Sequence, residues 1–374
     1  MNCLLVSTLD YNPGDEIIRL GVEHIVRRYF PDTTFRVIHK HDCRTLFAGF
    51  QQRKKTPRRL VSPILYRCYS MSIGRTRENF LDSSDLVIFA GTPFIWRAPL
   101  KLLPFTSANA EWVGAIWNRL FYDLKYKPVI NLAAGTSITN REDLSYIYKD
   151  KSVVKFLSQA IERCAATTAR DSITKEILAQ LGHEVPLLPC ASIFAADGAS
   201  IPPEKGEYVV LNVMPNAAHT WRGQVGDREK WRKTITRIVE VIRKDRPIKF
   251  VSHAQDEHKT AEEWFPDLPR YFSRNPIDLL RAYSKAIYGV CNRVHAGAAI
   301  ASFEKPAIVI GGDSRIDLIR HFGLPAFDHR DVNEGKIFEI IHDMEANPAI
   351  YKEALHARKV KAERDYLSAL ALAL

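Results

Sequence analysis

The chain has 374 residues, long enough for two ordinary domains, each with its own core. At 46% hydrophobic and 26% charged residues the composition is globular, which excludes a disordered or fibrous protein. A formal net charge of +10 favours anionic partners such as phosphorylated small molecules, nucleic acid or an acidic membrane surface, without choosing among them. No apolar run approaches the ~20 residues that cross a bilayer, so any membrane role is expected to be peripheral. The cysteines (Cys3, Cys43, Cys68, Cys164, Cys190, Cys291) are scattered, with no Cys-x-x-Cys and no paired histidine motif. They read as free thiols of a reducing cytoplasm. No basic region precedes the first apolar residues, so no signal peptide is expected.

Cys3 to Thr8 predicts a first strand, followed by an Asn12-Pro13-Gly14-Asp15 turn and an amphipathic helix through about Tyr29. The amides of that helix, with Asn12 and Asp15, either face a ligand above a sheet or form a plain capped turn. Phe35 to Ile38 predicts a second strand. The basic run at 51–59, with Arg67, Arg75 and Arg77, reads as a solvated loop or as a cationic patch for an anionic lipid head group or carrier. Asp85 to Ala90 is a strong strand. From 94 to 126 the chain is rich in aromatics (Trp96, Trp112, Trp117, Phe121, Tyr122), with a helix expected over 110–124; such side chains build cores, stack on sugars or settle at membrane interfaces.

Pro128 to Leu132 predicts a strand opening into an Ala133–Ser137 turn, which makes Ser137 a candidate contact. Lys151 to Cys164 reads as a helix, Ala166 to Ala169 as an edge strand, and Ser172 to Leu181 as a helix closed by Gly182. Arg170 therefore falls at a strand-to-helix corner. The Pro-rich 201–206 stretch is the best linker. Beyond it a second alternating βα series begins: strands at 208–213 and 248–252, and helices at 227–244, 256–265 and 276–284. His219, Trp221, Arg222 and His253 fall in loops at strand ends. The expected units are 1–200, 207–345 and a terminal helix at 346–374.

The most informative stretch runs from Ala286 to Asp313. It reads as a buried strand, a polar turn (Asn292, Arg293, His295), a helix of small residues, a Lys305-Pro306 break and a second buried strand. An open parallel sheet places its ligand at such a turn, and a guanidinium and an imidazole there suit a phosphate or carboxylate. The plainer alternative is that Arg293 pairs with a neighbouring carboxylate and His295 is an interior histidine. Arg315, opening the next helix, is a further cleft candidate.

Arg293-Val294-His295 before the Ala-rich helix, Asn12-Pro13-Gly14-Asp15 near the start, and Arg170-Asp171-Ser172 before Leu178 and Leu181-Gly182 lie in an order that resembles the polysaccharide pyruvyltransferase family. Two departures stand out: a single glycine at Gly91, and Gly135-Thr136-Ser137 where relatives often carry Gln-Ser. The resemblance implies an α/β fold of two doubly wound Rossmann-like domains facing a cleft (GT-B-like), with the C-terminal helical tail packing back across the domains.

It also implies transfer of pyruvate from phosphoenolpyruvate onto two hydroxyls of a sugar in surface polysaccharide biosynthesis. The acceptor would be free, nucleotide-linked or lipid-linked, with peripheral contact at the inner membrane face. In that scheme His295, Arg293 and Asp15 are catalytic, and Arg170, Asn12, Gly14, Asn292, Ser137 and Arg315 bind substrate. No metal or organic cofactor is called for. Two other readings remain open: a GT-B sugar-nucleotide glycosyltransferase, with Asp313 or Asp317 gripping a ribose, and a non-catalytic carbohydrate- or anion-binding protein. Nucleic-acid binding has only the net charge behind it.

Overall fold

The computed structural model describes residues 1–9, 12–39, 80–91, 93–96, 117, 120–121, 124–138, 144–149, 151–217 and 226–372. The basic run at 51–59, Arg67, Arg75, Arg77, Trp112, Tyr122, most of the 110–124 helix, His219, Trp221 and Arg222 lie outside these residues.

Two six-stranded, all-parallel sheets form the frame. In the first, β1 (Asn2–Ser7), β2 (Thr34–His39), β3 (Leu86–Ala90), β4 (Pro93–Trp96) and β5 (Val129–Ser137) lie in the order β2-β1-β3-β5-β4, and β6 (Ala166–Ala169) pairs with β5. In the second, β7 (Tyr208–Asn212), β8 (Ile248–Ser252), β9 (Arg270–Phe272), β10 (Ala286–Cys291), β11 (Ala307–Gly311) and β12 (Ala326–Asp328) lie in the order β12-β11-β10-β7-β8-β9. Strands β1, β3, β7 and β11 are buried along their length or nearly so, the continuous apolar pattern of strands covered on both faces.

In each sheet the chain order reverses beside its first strand, between β1 and β3 and between β7 and β10. A parallel sheet opens a crevice at that reversal, above the strand ends. Both crevices face the gap between the sheets.

The helices reached from these ends follow from local signals. Helix α1 (Pro13–Tyr29) starts with Asn12 Oδ1 accepting from Gly14 N at 3.2 Å, has Pro13 at its first position, and carries Asp15 and Glu16 in its first turn and Arg27 and Arg28 in its last. Its apolar face (Ile17, Ile18, Val22, Ile25) is fully buried. Gly21 and Gly198 have no room for a Cβ, because Ala191 O and Leu20 O lie against them. That close approach seats α1 on the segment running into the linker.

Along the rest of the chain come α2 (Lys151–Arg163), α3 (Ser172–Gln180), α4 (Ala195–Gly198), α5 (Arg228–Ile242), α6 (Gln255–Trp264), α7 (Pro276–Ser284), α8 (Val294–Ala301), α9 (Ile316–His321), α10 (Glu334–Ala346) and α11 (Pro348–Ala371). One core cluster runs from α1 and β1 through α7, α8 and β11 to Leu355, Ala362 and Tyr366 of α11, so the two sheets share an interior. Side chains of this kind stabilise by about 1.5–3 kcal/mol each when fully buried.

The terminal helix ties the halves together. Glu363 bonds His24 at 2.9 Å and Arg28 at 3.1 Å, Tyr366 Oη donates to Pro189 O at 2.8 Å, and Lys359 Nζ donates to Ser302 O at 3.0 Å.

Two details differ from the sequence expectation. Strand β5 does not turn at Ala133 but continues through Ser137, where β4 pairs with Gly135, Thr136 and Ser137; β6 pairs on both sides of Ala133, which takes a positive φ of 54° at the point where that register shifts. Strands β9 and β12 are three residues each and half-buried, too short for a periodic signal. Among the described residues no helix is long and apolar enough to cross a membrane.

Candidate functional site

The site is assembled from the carboxyl ends of strands in both sheets. From the second sheet, the turn after β10 supplies Asn292 and Arg293, α8 opens with His295, the turn after β8 supplies His253, and the turn after β11 supplies Asp313 and Arg315. With Asn12 from the first sheet these residues line one pocket. The stripe of Ala and Gly on α8 lets it lie close on β10 and β11; a Cβ on Gly297 would collide with Val309.

Gly14 and His295 meet across the cleft. A Cβ on Gly14 would overlap the imidazole at Nδ1 and stand 2.8 Å from Cγ. His295 is 4% exposed, and its Nε2 has no hydrogen-bond partner among the described residues. Burial, followed by the charges of Arg170 and Arg315, holds His295 well below the usual histidine range against a weaker pull from Asp313, so the ring is neutral. Asp15 is also buried with Oδ1 unpartnered among the described residues, and its charge acts on Arg315.

Arg170 is the other unusual group. It sits at the end of β6, fully buried, with Nη1 donating to Gly91 O. Its guanidinium lies against Gly135, where a Cβ would overlap Nε and stand 2.7 Å from Cζ. Its Nε and Nη2 have no partner among the described residues. Buried donors are normally satisfied, so two nitrogens without partners on a buried cation make Arg170 a candidate anion contact.

The remaining candidates are engaged. Arg293 Nε donates to Glu257, a 1%-exposed carboxylate that also accepts from His253 N at 2.8 Å. Arg315 makes a two-pronged pair with Asp313, Nε to Oδ1 at 2.9 Å and Nη2 to Oδ2 at 2.6 Å. Burial works against the Arg315 charge, and Asp313 overrides it. The Asn292 side chain is a brace: Oδ1 accepts from Met214 N at 2.9 Å, and Nδ2 donates to Ala217 O and Ile310 O. Ser137 is buried at the end of β5, one residue beyond Thr136.

The two halves are also bonded directly. Ser314 Oγ lies 2.9 Å from Thr136 Oγ1 and 3.2 Å from Ile138 N, and Asp317 Oδ2 accepts from Ser172 N at 3.0 Å and Ser172 Oγ at 2.7 Å. The sequence carried no sign of Glu257, 36 residues from the guanidinium it holds. The pairing of Thr136 with Ser314 was equally hidden, since only the fold brings them together. Among the described residues no cluster of side chains is arranged to hold a metal ion.

Two parallel α/β sheets joined by a linker, with a polar cleft at facing strand ends and a helical tail across both, define a GT-B-like fold. Over residues 12–314 the sequence matches the polysaccharide pyruvyl transferase family, and the chain belongs to it. No curated protein matches the sequence. Among solved structures the chain is similar to the UDP-GlcNAc 2-epimerase of Neisseria meningitidis bound to UDP-GlcNAc, at 12% identity and a TM-score of 0.56 over 99% of this chain and 100% of that one. It is also similar to S. aureus MnaA with UDP, at 12% identity and a TM-score of 0.53 over 94% and 90%. At that identity the likeness shows the fold alone.

Proposed function

We propose that this member of the family transfers pyruvate from phosphoenolpyruvate onto two hydroxyls of a sugar acceptor, forming a cyclic ketal and releasing phosphate. The observation that carries the reading is a set of buried nitrogens without partners among the described residues, Arg170 Nε and Nη2 and His295 Nε2, the last under the charges of Arg170 and Arg315. A small donor bearing a carboxylate and a phosphate needs several such groups.

In this scheme Arg170, in the first unit (1–200), and Arg293 and Arg315, in the second (207–345), hold the anion between the sheets. The enol carbon takes a proton and becomes a methyl group, and the adjacent carbon becomes the cationic centre that a sugar hydroxyl attacks. The second hydroxyl then displaces phosphate. Of the two hydroxyl protons, one accounts for the new methyl C–H and the other leaves with phosphate, so the exchange balances. Neutral His295 first serves as a hydrogen-bond donor to the anion; the anion's charge raises its basicity, equipping it to relay a proton. Asp15, buried and half-unpartnered on the acceptor side, is the base for the attacking hydroxyl.

The glycosyltransferase reading is weakened at Asp313, whose carboxylate is occupied at both oxygens by Arg315; at Asp317 both bonds from Ser172 go to Oδ2, so that residue stays its candidate for a ribose. The test is acceptor-dependent phosphate release from phosphoenolpyruvate, with mass spectrometry of the sugar. A pyruvylated product made by wild type and not by His295→Ala supports the proposal; no product with any surface-polysaccharide sugar, free, nucleotide-linked or lipid-linked, overturns it.

A further inference from the structure

His253 follows β8 with its backbone fixed, its N–H donating to Glu257 Oε2 at 2.8 Å. Its ring Nε2 lies 2.6 Å from the hydroxyl of Tyr283 on α7. Tyr283 is fully buried, and its hydroxyl has no other partner among the described residues. A hydroxyl in that position must donate its proton to Nε2, because the reverse arrangement leaves a buried O–H without an acceptor. The ring proton is then on Nδ1. That nitrogen makes no hydrogen bond among the described residues, and His253 lines the pocket with Asn12, Arg293 and His295.

We infer that His253 is a further ligand-contacting residue of the cleft, a neutral imidazole oriented by Tyr283 that donates Nδ1–H to an oxygen of the bound anion. The assignment rests on the anionic donor proposed above. Tyr283, Arg293 and His295 are the titratable groups that face it, and Glu257 meets it through the backbone. Burial, then the Arg293 charge, pushes His253 down to about 3, so it acts as a fixed donor and not as an acid or base near neutral pH. Its contribution is to recognise an acceptor oxygen, the kind that carboxylate and phosphate share.

Two measurements on the full chain decide this. In nitrogen NMR of histidine-labelled protein, with the His253 signal assigned through His253→Asn, the expected result is a protonated Nδ1 and an unprotonated Nε2 from pH 8 to pH 5, with that preference lost in Tyr283→Phe. A protonated Nε2 in wild type overturns the inference.

In calorimetric titration with phosphoenolpyruvate, His253→Ala should bind about tenfold more weakly, the worth of one hydrogen bond to a charged oxygen. His253→Asn, whose amide nitrogen falls near the place of Nδ1, should stay within about threefold of wild type. Equal losses in both variants, or no loss in His253→Ala, overturn it. If wild type binds no phosphoenolpyruvate, the donor reading falls. The same titrations with inorganic phosphate then decide His253 alone, and a wild type that binds neither overturns both.

Discussion

The backbone of Gly14, at the start of α1, lies against the imidazole of His295, at the start of α8 on the other sheet, with no room between them for a methyl group. Ala suits a helix better than Gly by up to ~1 kcal/mol, so Gly14→Ala should leave α1 intact or firmer. The methyl group must nevertheless displace the His295 ring or part the sheets. We expect a thermal midpoint within ~3 °C of wild type and a fall in kcat/KM of about a hundredfold or more, since small misplacements at a reacting centre cost that much. Wild-type kinetics in Gly14→Ala would show that the contact has no part in the reaction.

Arg170 offers a case where stability and function should part. Its charge is fully buried with two open nitrogens, so replacing it by a residue of similar length removes a desolvated cation. Arg170→Met also removes the donor to Gly91 O and the charge that favours ionised Asp171, so it should stay folded but unfold below the wild-type temperature without ligand, and it should lose the stabilisation that phosphoenolpyruvate gives. Retention of that ligand effect would rule Arg170 out as an anion contact.

Acid should weaken the fold before the surface carboxylates titrate. His253 and His295 are held below the ordinary histidine value in the native state, so the unfolded chain binds their protons first. Their contribution is complete above pH ~6.5 and is lost as pH falls toward about 3 for His253, by up to ~1.4 kcal/mol per pH unit for each ring. Asp171, pushed upward by burial against the pull of Arg170, works in the opposite sense. Urea unfolding at pH 7 and pH 5 should therefore show a drop in wild type that is shallower in His253→Asn. Parallel drops would contradict the assignment of His253 as a buried neutral ring.

The bonds from Ser314 to Thr136 and from Asp317 to Ser172 hold the two halves together beside the site. Ser314→Ala with Asp317→Ala should cost about 1–3 kcal/mol. It should also raise KM for phosphoenolpyruvate about tenfold, because part of the binding energy must then close the cleft. An unchanged KM, with the stability loss present, would confine these bonds to a structural part.

Much of the frame was legible in the sequence. The buried runs at Leu86–Ala90 and Ala307–Gly311 and the capped helix at Pro13 follow from burial on both faces and from local capping, which neighbouring residues record. The tail across both sheets was expected from fold analogy and is present in the contacts of Lys359 and Glu363. What could not be read was pairing at a distance. At Arg293 the plainer alternative is what the structure holds, a guanidinium paired with the Glu257 carboxylate, in a residue that lines the pocket. Asn292 looked like a ligand group, and its amide is used to brace the loop after β7, at Met214 and Ala217, against Ile310 of β11. His253, one of four loop residues the sequence marked at strand ends, is set apart by its contact with Tyr283, which only the fold shows.

The central claim is that the cleft binds phosphoenolpyruvate through Arg170 and the Arg293–His295 turn. The measurement that tests it most directly is thermal unfolding of wild type, Arg170→Met and Arg293→Ala with and without phosphoenolpyruvate. A ligand at a hundred times its dissociation constant adds ~2.7 kcal/mol to the native state, enough to raise the midpoint by several degrees. The account predicts that rise in wild type and its absence in both variants. A flat wild-type response, or an equal rise in all three proteins, would contradict it.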